Sequence, residues 1–226
     1  METLDKSKVS IVSHPNFKNM EVQERILLKS HELFMRYGIR SISLDEIASQ
    51  LGISKKTIYH FYADKDALVD AVVEIETLRN EKECTMHREQ CENAVHEIFL
   101  AGNMVHEMLK TLNPAILYDL EKYHPNAYKK FNNHKLDFFG KVVSDNLRRG
   151  IEEGLYREEI DIEILTRFRI GSTFLIFNQE IFPANKTNIM DVLWQTTECF
   201  LHGLTTPKGT KLIYKYKQQR LKKESV

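Results

Sequence analysis

The sequence predicts an all-α chain, with an N-terminal three-helix domain that carries a helix-turn-helix and a C-terminal helical domain, on three observations. Apolar residues recur at helical spacing from Glu21 to Leu204, with few β-branched runs in alternation. Residues 43–62, SLDEIASQLGISKKTIYHFY, read as two short helices joined by a tight turn, the second unusually polar. At 226 residues the chain is long for one compact helical unit, so two helical domains are the natural division.

Residues 1–20 carry Ser, Lys, His14 and Pro15 without periodicity and are expected to form a flexible arm. Lys6, Lys8 and Lys18 in that arm are candidates for a minor-groove contact, against the plainer reading of disorder without function. From Glu21 a helix places Val22, Ile26, Ser30, Leu33, Phe34 and Tyr37 on one stripe and stops at Gly38. Ser43 then caps a second helix, its hydroxyl accepting the Glu46 N–H while the Glu46 carboxylate returns to the Ser43 N–H. Leu44, Ile47, Ala48 and Leu51 form the apolar face of this helix and need the first helix as a partner. Gly52 ends it, Ile53 plugs the turn, and Ser54 caps the third helix.

In the third helix Ile58 and Tyr62, with Phe61 beside them, make an inward edge, whereas Lys55, Lys56, Thr57, Tyr59 and His60 obey no apolar period. One face that anchors and another rich in donors is what a helix entering a DNA major groove requires, because base edges and phosphates accept hydrogen bonds. The competing reading is a helical hairpin whose polar face is merely solvated, a protein-interaction module without DNA binding.

Residues 26–73, ILLKSHELFMRYGIRSISLDEIASQLGISKKTIYHFYADKDALVDAVV, resemble the N-terminal domain of the TetR family of transcriptional regulators. The matching pieces are Glu32-Leu33-Phe34 with Gly38, Ser43 with Ile47-Ala48, Leu51 through Lys55, Thr57, Tyr59 through Tyr62, and Lys65-Asp66 with Leu68. So many fixed spacings over about fifty residues are far more specific than a lone short motif. Two positions depart from the family: Ser30 stands where alanine is usual, and Lys56 where glycine or a small residue is common, which leaves base preference open.

The resemblance implies a homodimeric repressor on a palindromic double-stranded DNA operator, released when a small-molecule effector enters the second domain. It also gives Ser43, Ser54, Lys55, Lys56, Thr57, Tyr59, His60 and Lys65 as the DNA-binding set, with Lys65 near the start of a connecting helix that Asp64 caps, where a phosphate can be held. The expected domains are an arm over 1–20, a DNA-binding domain over 21–66, a regulatory domain over 67–206 and a basic tail over 207–226.

Composition adds limits. The formal net charge is zero, so DNA binding must rest on a local patch, Lys55, Lys56, His60 and Lys65 against Asp64. Three cysteines give no even disulfide framework and point to a reducing cytosol. No apolar run reaches membrane-span length, and METLDKSKVS lacks the apolar core of a secretory signal, so a cytoplasmic protein without a membrane partner is expected. A glycine-rich phosphate loop, an H-E-x-x-H pair and a G-x-S-x-G elbow are all missing, so neither an enzyme nor a cofactor is expected.

From Lys82 onward the resemblance weakens and helix follows helix: Ala94 to Leu112, Pro114 to Tyr123, a long one from Pro125 ending before Gly150 and Gly154, Asp161 or Ile162 to Ile181, and Asn188 to Leu204. Phe99, Asn103, His106, Tyr118, Tyr123, Phe138, Phe139, Phe174 and Asn178 are candidates for an effector pocket, against ordinary core; without a strong charge cluster, a neutral or amphipathic effector is favoured. In the family the last two long helices pair with their two-fold mates, which assigns Phe168, Leu175, Val192, Thr196 and Phe200 to a dimer interface, against monomer core. Cys84, His87 and Cys91, at i, i+3 and i+7, with Cys199 and His202 elsewhere, keep a metal- or thiol-responsive regulator as an alternative. Neither cluster supplies four ligands, so no metal is assigned. The tail, with Lys208, Lys211, Lys215, Lys217, Arg220, Lys222 and Lys223, reads as a short amphipathic helix and a solvated end, against a weak contact to an anionic surface.

Overall fold

The computed structural model describes residues 21–224, so the expected arm, with Lys6, Lys8 and Lys18, lies outside the described residues. In chain order the helices are α1 (Val22–Tyr37), α2 (Leu44–Leu51), α3 (Lys55–Phe61), α4 (Lys65–Gln90), α5 (Ala94–Leu109), α6 (Ile116–Tyr123) and α7 (Pro125–His134). A π-helical turn (Lys135–Phe139) then leads into α8 (Gly140–Glu152), followed by α9 (Ile162–Leu175), α10 (Ile189–Leu204) and α11 (Pro207–Glu224). Among the described residues the single extended pairing is an isolated antiparallel bridge between Tyr156 and Thr205.

The chain divides into two units, though not at the expected boundary after residue 66. One unit comprises the described residues up to Asn80 together with Asn113–Phe131; the other comprises Glu81–Leu112 and the described residues from Asn132 onward. Long-range hydrogen bonds explain why α6 joins the first unit. Asn113 N–H donates to Met35 O at 2.7 Å, Arg40 N–H donates to Asp119 Oδ2 at 3.0 Å, and His124 Nδ1 meets Asp66 Oδ1 at 2.6 Å.

In the first unit Ile26, Phe34, Ile47, Ile58, Leu68 and Val69 are fully buried, as the apolar stripes require. Ser30, the departure from alanine, is buried too, and its hydroxyl donates to Ile26 O at 2.7 Å, so the extra polar group is satisfied. Tyr62 packs inward as expected, and burial pushes its phenol up to about 12. Tyr37 and Phe61, both expected inside, turn outward.

The second unit is built around Val95, Phe99, Leu147, Tyr156, Trp194, Leu201 and Ile213. Three elements differ from expectation. First, α9 stops at Leu175 rather than Ile181: Ile176 is buried in a turn, and Asn178 Oδ1 accepts the N–H groups of Glu180 and Ile181. Second, the long helix from Pro125 is interrupted by the π-helical turn at Lys135–Phe139. Third, the basic tail is an 18-residue helix with Ile213 and Tyr216 in the core, while Lys208, Lys211, Lys215 and Lys222 are exposed and concealed that stripe in the sequence.

Gly150 lets Tyr156 lie flat against α8, because a Cβ there would stand 2.0 Å from the ring. Tyr156 is fully buried and has no free direction to yield. Gly150→Ala is therefore expected to cost about 2–3 kcal/mol, read as a lowered urea midpoint at unchanged slope. An unchanged midpoint would mean that Tyr156 yields to the added methyl without cost.

Candidate DNA-binding head

Capping fixes the reading helix. Ser43 Oγ accepts the Glu46 N–H at 3.1 Å and opens α2, whose end at Gly52 takes a left-handed φ of 65°. Ile53 N–H then donates to Ala48 O at 3.0 Å, turning the chain sharply into α3. Ser54 Oγ accepts the Thr57 N–H at 3.1 Å and lies 2.9 Å from Thr57 Oγ1. The hydroxyls of Ser43, Ser54 and Thr57 are thus already engaged in local hydrogen bonds that shape the turn.

Ile58 anchors α3 with no exposed surface, and the opposite side presents Lys56, Tyr59 and His60 to solvent, Tyr59 at 47% exposure. Phe61 is exposed beside them, edge-on to His60 at 5.0 Å. Lys55 lies against Asp45, Nζ to Oδ2 2.7 Å, a bond that raises its pKa and clips the two helices together at the surface. The free donors of the expected set are therefore Lys56, Tyr59 and His60.

Lys65 departs most from expectation. Its Nζ donates to Ile39 O and Ile42 O, each at 2.6 Å, and lies 5.7 Å from the centre of the Phe34 ring. Burial holds its pKa below the ordinary lysine value. Two of its three N–H groups brace the loop between α1 and α2, which leaves one for a phosphate. Sequence reasoning gave no hint of this strut, nor of Asp119 and His124, which tie α6 to the head, because each link spans more than twenty residues.

The candidate effector residues scatter. Phe99 is core and stacks on Trp194 at 6.0 Å, and Trp194 Nε1–H donates to His106 Nδ1 at 3.0 Å. Asn103, Phe138, Phe139 and Phe174 are half-buried, and Phe139 and Phe174 meet at 6.5 Å. Tyr118, with Tyr123, belongs to the first unit and is 55% exposed, and Asn178 is an exposed turn cap; neither helps to line a pocket in the second unit.

Of the candidate dimer residues, Phe168 and Leu175 are exposed, and Ile164 and Gly171 extend them into a stripe at i, i+4, i+7 and i+11 along α9. Val192 and Phe200 are instead core of their own chain, and the Thr196 hydroxyl donates to Val192 O at 2.8 Å. Apolar periodicity alone cannot say which side of α10 meets its own chain.

Cys84, His87 and Cys91 do not converge. Cys91 N–H still donates to His87 O at 2.9 Å just past the end of α4, but Cys91 Sγ faces the Arg149 guanidinium at 2.8 Å, a neighbour that repels a metal cation. Burial pushes the Cys84 thiol up to about 12, away from the reactive thiolate. Among the described residues no three His, Cys, Asp or Glu side chains are grouped to hold a metal ion.

The fold and this head define a helix-turn-helix DNA-binding transcriptional regulator. Residues 26–72 match the family model for bacterial regulatory proteins of the tetR family. The chain is 24% identical over 187 residues to an uncharacterised HTH-type transcriptional regulator of Bacillus subtilis, YvaF, covering 81% of this chain and 96% of that protein. It is 23% identical over 180 residues to the HTH-type transcriptional repressor KstR2 of Rhodococcus jostii, covering 77% of this chain and 87% of that one. A solved structure of the Bacillus subtilis regulator FadR in complex with stearoyl-CoA shares the fold, with a TM-score of 0.62 at 15% identity over 80% of this chain and 98% of that chain. Residues 26–72 thus form a DNA-binding domain of the tetR-family type. Among the described residues no helix is long and apolar enough to cross a membrane.

Proposed function

We propose that the chain is a ligand-responsive repressor: a homodimer whose two heads bind a roughly palindromic operator in the cytoplasm and leave it when a small molecule enters the second unit. It acts by binding, without catalysis. The observation that carries this reading is the solvent-facing donor surface of α3, Lys56, Tyr59 and His60, on a helix fixed from behind by Ile58 and in front by the Ser54 cap. The likeness to a protein named a repressor, and to one solved with an acyl-CoA, supports the repressor and effector parts.

α4 runs unbroken from Lys65 in the head to Gln90 in the second unit, so an effector that favours one setting of this helix biases the spacing of the two heads. A differential affinity of a few kcal/mol between the two settings is enough to shift operator occupancy.

Gel shifts on DNA upstream of the chain's own gene test the head. Tyr59→Ala and Lys56→Ala are each expected to weaken binding by about ten- to a hundredfold while leaving the melting temperature unchanged, since both side chains are exposed. Wild-type affinity should also fall steeply as salt rises. Wild-type binding by both variants would remove the DNA assignment from α3, and a flat salt dependence would favour a protein partner.

A further inference from the structure

The second unit buries a cation without burying an anion for it. Arg169, on α9, is 7% exposed, and its guanidinium makes one side-chain hydrogen bond, from Nη2 to Thr197 Oγ1 at a long 3.3 Å. Its other close neighbour is the Phe200 ring, 5.0 Å away. The buried carboxylate of this unit, Glu97, is taken by Arg88 at 2.8 Å, Arg149 at 3.5 Å and Asn146 at 2.9 Å. The Tyr156 hydroxyl is likewise engaged, donating to Asn146 Oδ1 at 3.1 Å.

One helical turn before Arg169, on the same side of α9, Thr166 is buried and its Oγ1 has no hydrogen-bond partner. A guanidinium has five N–H groups in a planar fork, and one long bond to Thr197 leaves that fork with donors to offer a ligand. An orphaned hydroxyl beside it repeats the anomaly with an independent group. A single planar oxyanion would answer both, accepting two bonds from the fork and a third from the threonine.

We propose that Arg169, Thr166 and Thr197 form an anion receptor inside the second unit, and that the effector carries a carboxylate which binds there. The proposal rests on the reading of this unit as the effector domain, and of the neutral or amphipathic effector favoured by the sequence it selects an amphipathic anion. A carboxylate fits better than a phosphate, because one negative charge neutralises one buried cation. A dianion would leave net negative charge buried a short hydrogen-bonded chain away from Glu97. The aromatic cover from Phe200 and Tyr156 suits a carboxylate with an apolar body.

The test is calorimetric titration of the full chain, without DNA, with octanoate, its neutral match octanamide, and inorganic phosphate. Octanoate is expected to bind saturably, one per chain, with octanamide and phosphate much weaker. Arg169→Met should weaken octanoate by about ten- to a hundredfold and Thr166→Val several-fold. The ligand-free Arg169→Met protein should melt at or above the wild-type temperature, since an uncompensated buried charge is removed. Equal octanoate affinity in wild type and Arg169→Met, preference for phosphate, or no octanoate binding by wild type would each overturn the receptor. A ligand-free Arg169→Met protein that melts well below wild type would assign Arg169 a structural role instead. Octanoate binding that depends on Arg169 but leaves operator affinity unchanged would keep the receptor and remove the effector reading.

Discussion

A chain carrying Phe168→Glu and Leu175→Glu is expected to sediment as a monomer and to bind its operator about a thousandfold more weakly than the parent. Phe168 is 57% exposed and Leu175 38%, and with Ile164 at 63% they form a stripe along α9 that is open to solvent. Large apolar side chains aligned along a helix and left in water mark an interaction surface. The proposed occupant is a second copy, because one helix-turn-helix has too few contacts to hold a site alone, and two linked heads multiply their affinities. Glutamates on a two-fold interface face their own copies, so each substitution loses apolar burial and adds repulsion between like charges. Phe168 also stacks on Phe200 at 6.3 Å, but at that exposure the loss within the chain is small, and the melting curve of the monomer controls for it. A variant that remains dimeric in sedimentation equilibrium would place the interface elsewhere.

What the sequence made legible was local. The Ser43 and Ser54 caps, the left-handed Gly52 and the inward Ile58 follow from residues within a turn or two of one another, and each is found where the pattern puts it. The misplaced features are those decided at a distance. Asp119 accepts a hydrogen bond from Arg40, seventy-nine residues away, and so draws α6 into the first unit; no periodicity encodes that. α10 carries enough apolar residues to suit either a core or an interface, and only the packing of Trp194, Phe200 and Leu201 shows which side faces inward. The lysines of α11 obscured Leu212, Ile213 and Tyr216, an apolar stripe under a charged surface. Arg169 was invisible for a related reason, because an arginine between apolar neighbours is read as solvated until its burial is known.

Lys65→Met is expected to destabilise the head by about 4 kcal/mol and to abolish operator binding at any salt concentration. The substitution keeps the aliphatic stem and its packing over Phe34 but removes the donors that Ile39 O and Ile42 O share, each at 2.6 Å. Ile39 and Ile42 are both 3% exposed, so water is poorly placed to replace the ammonium. A hydrogen bond from a charged donor contributes about 1.5–3 kcal/mol, and two of them, discounted because Lys65 is itself only half-buried, give the figure above. Ile42 directly precedes the Ser43 cap, so releasing its carbonyl loosens the start of α2 and, through the turn at Gly52, the seat of α3. A lysine that only touched phosphate would behave differently: its loss would leave melting unchanged and reduce the salt slope of binding by about one. Melting and salt titration of the same variant therefore separate the strut from the phosphate contact. Lys65→Arg keeps the charge but presents its donors in a wider planar fork, so failure of Arg to rescue would locate the effect in the geometry of the two carbonyl bonds rather than in the charge.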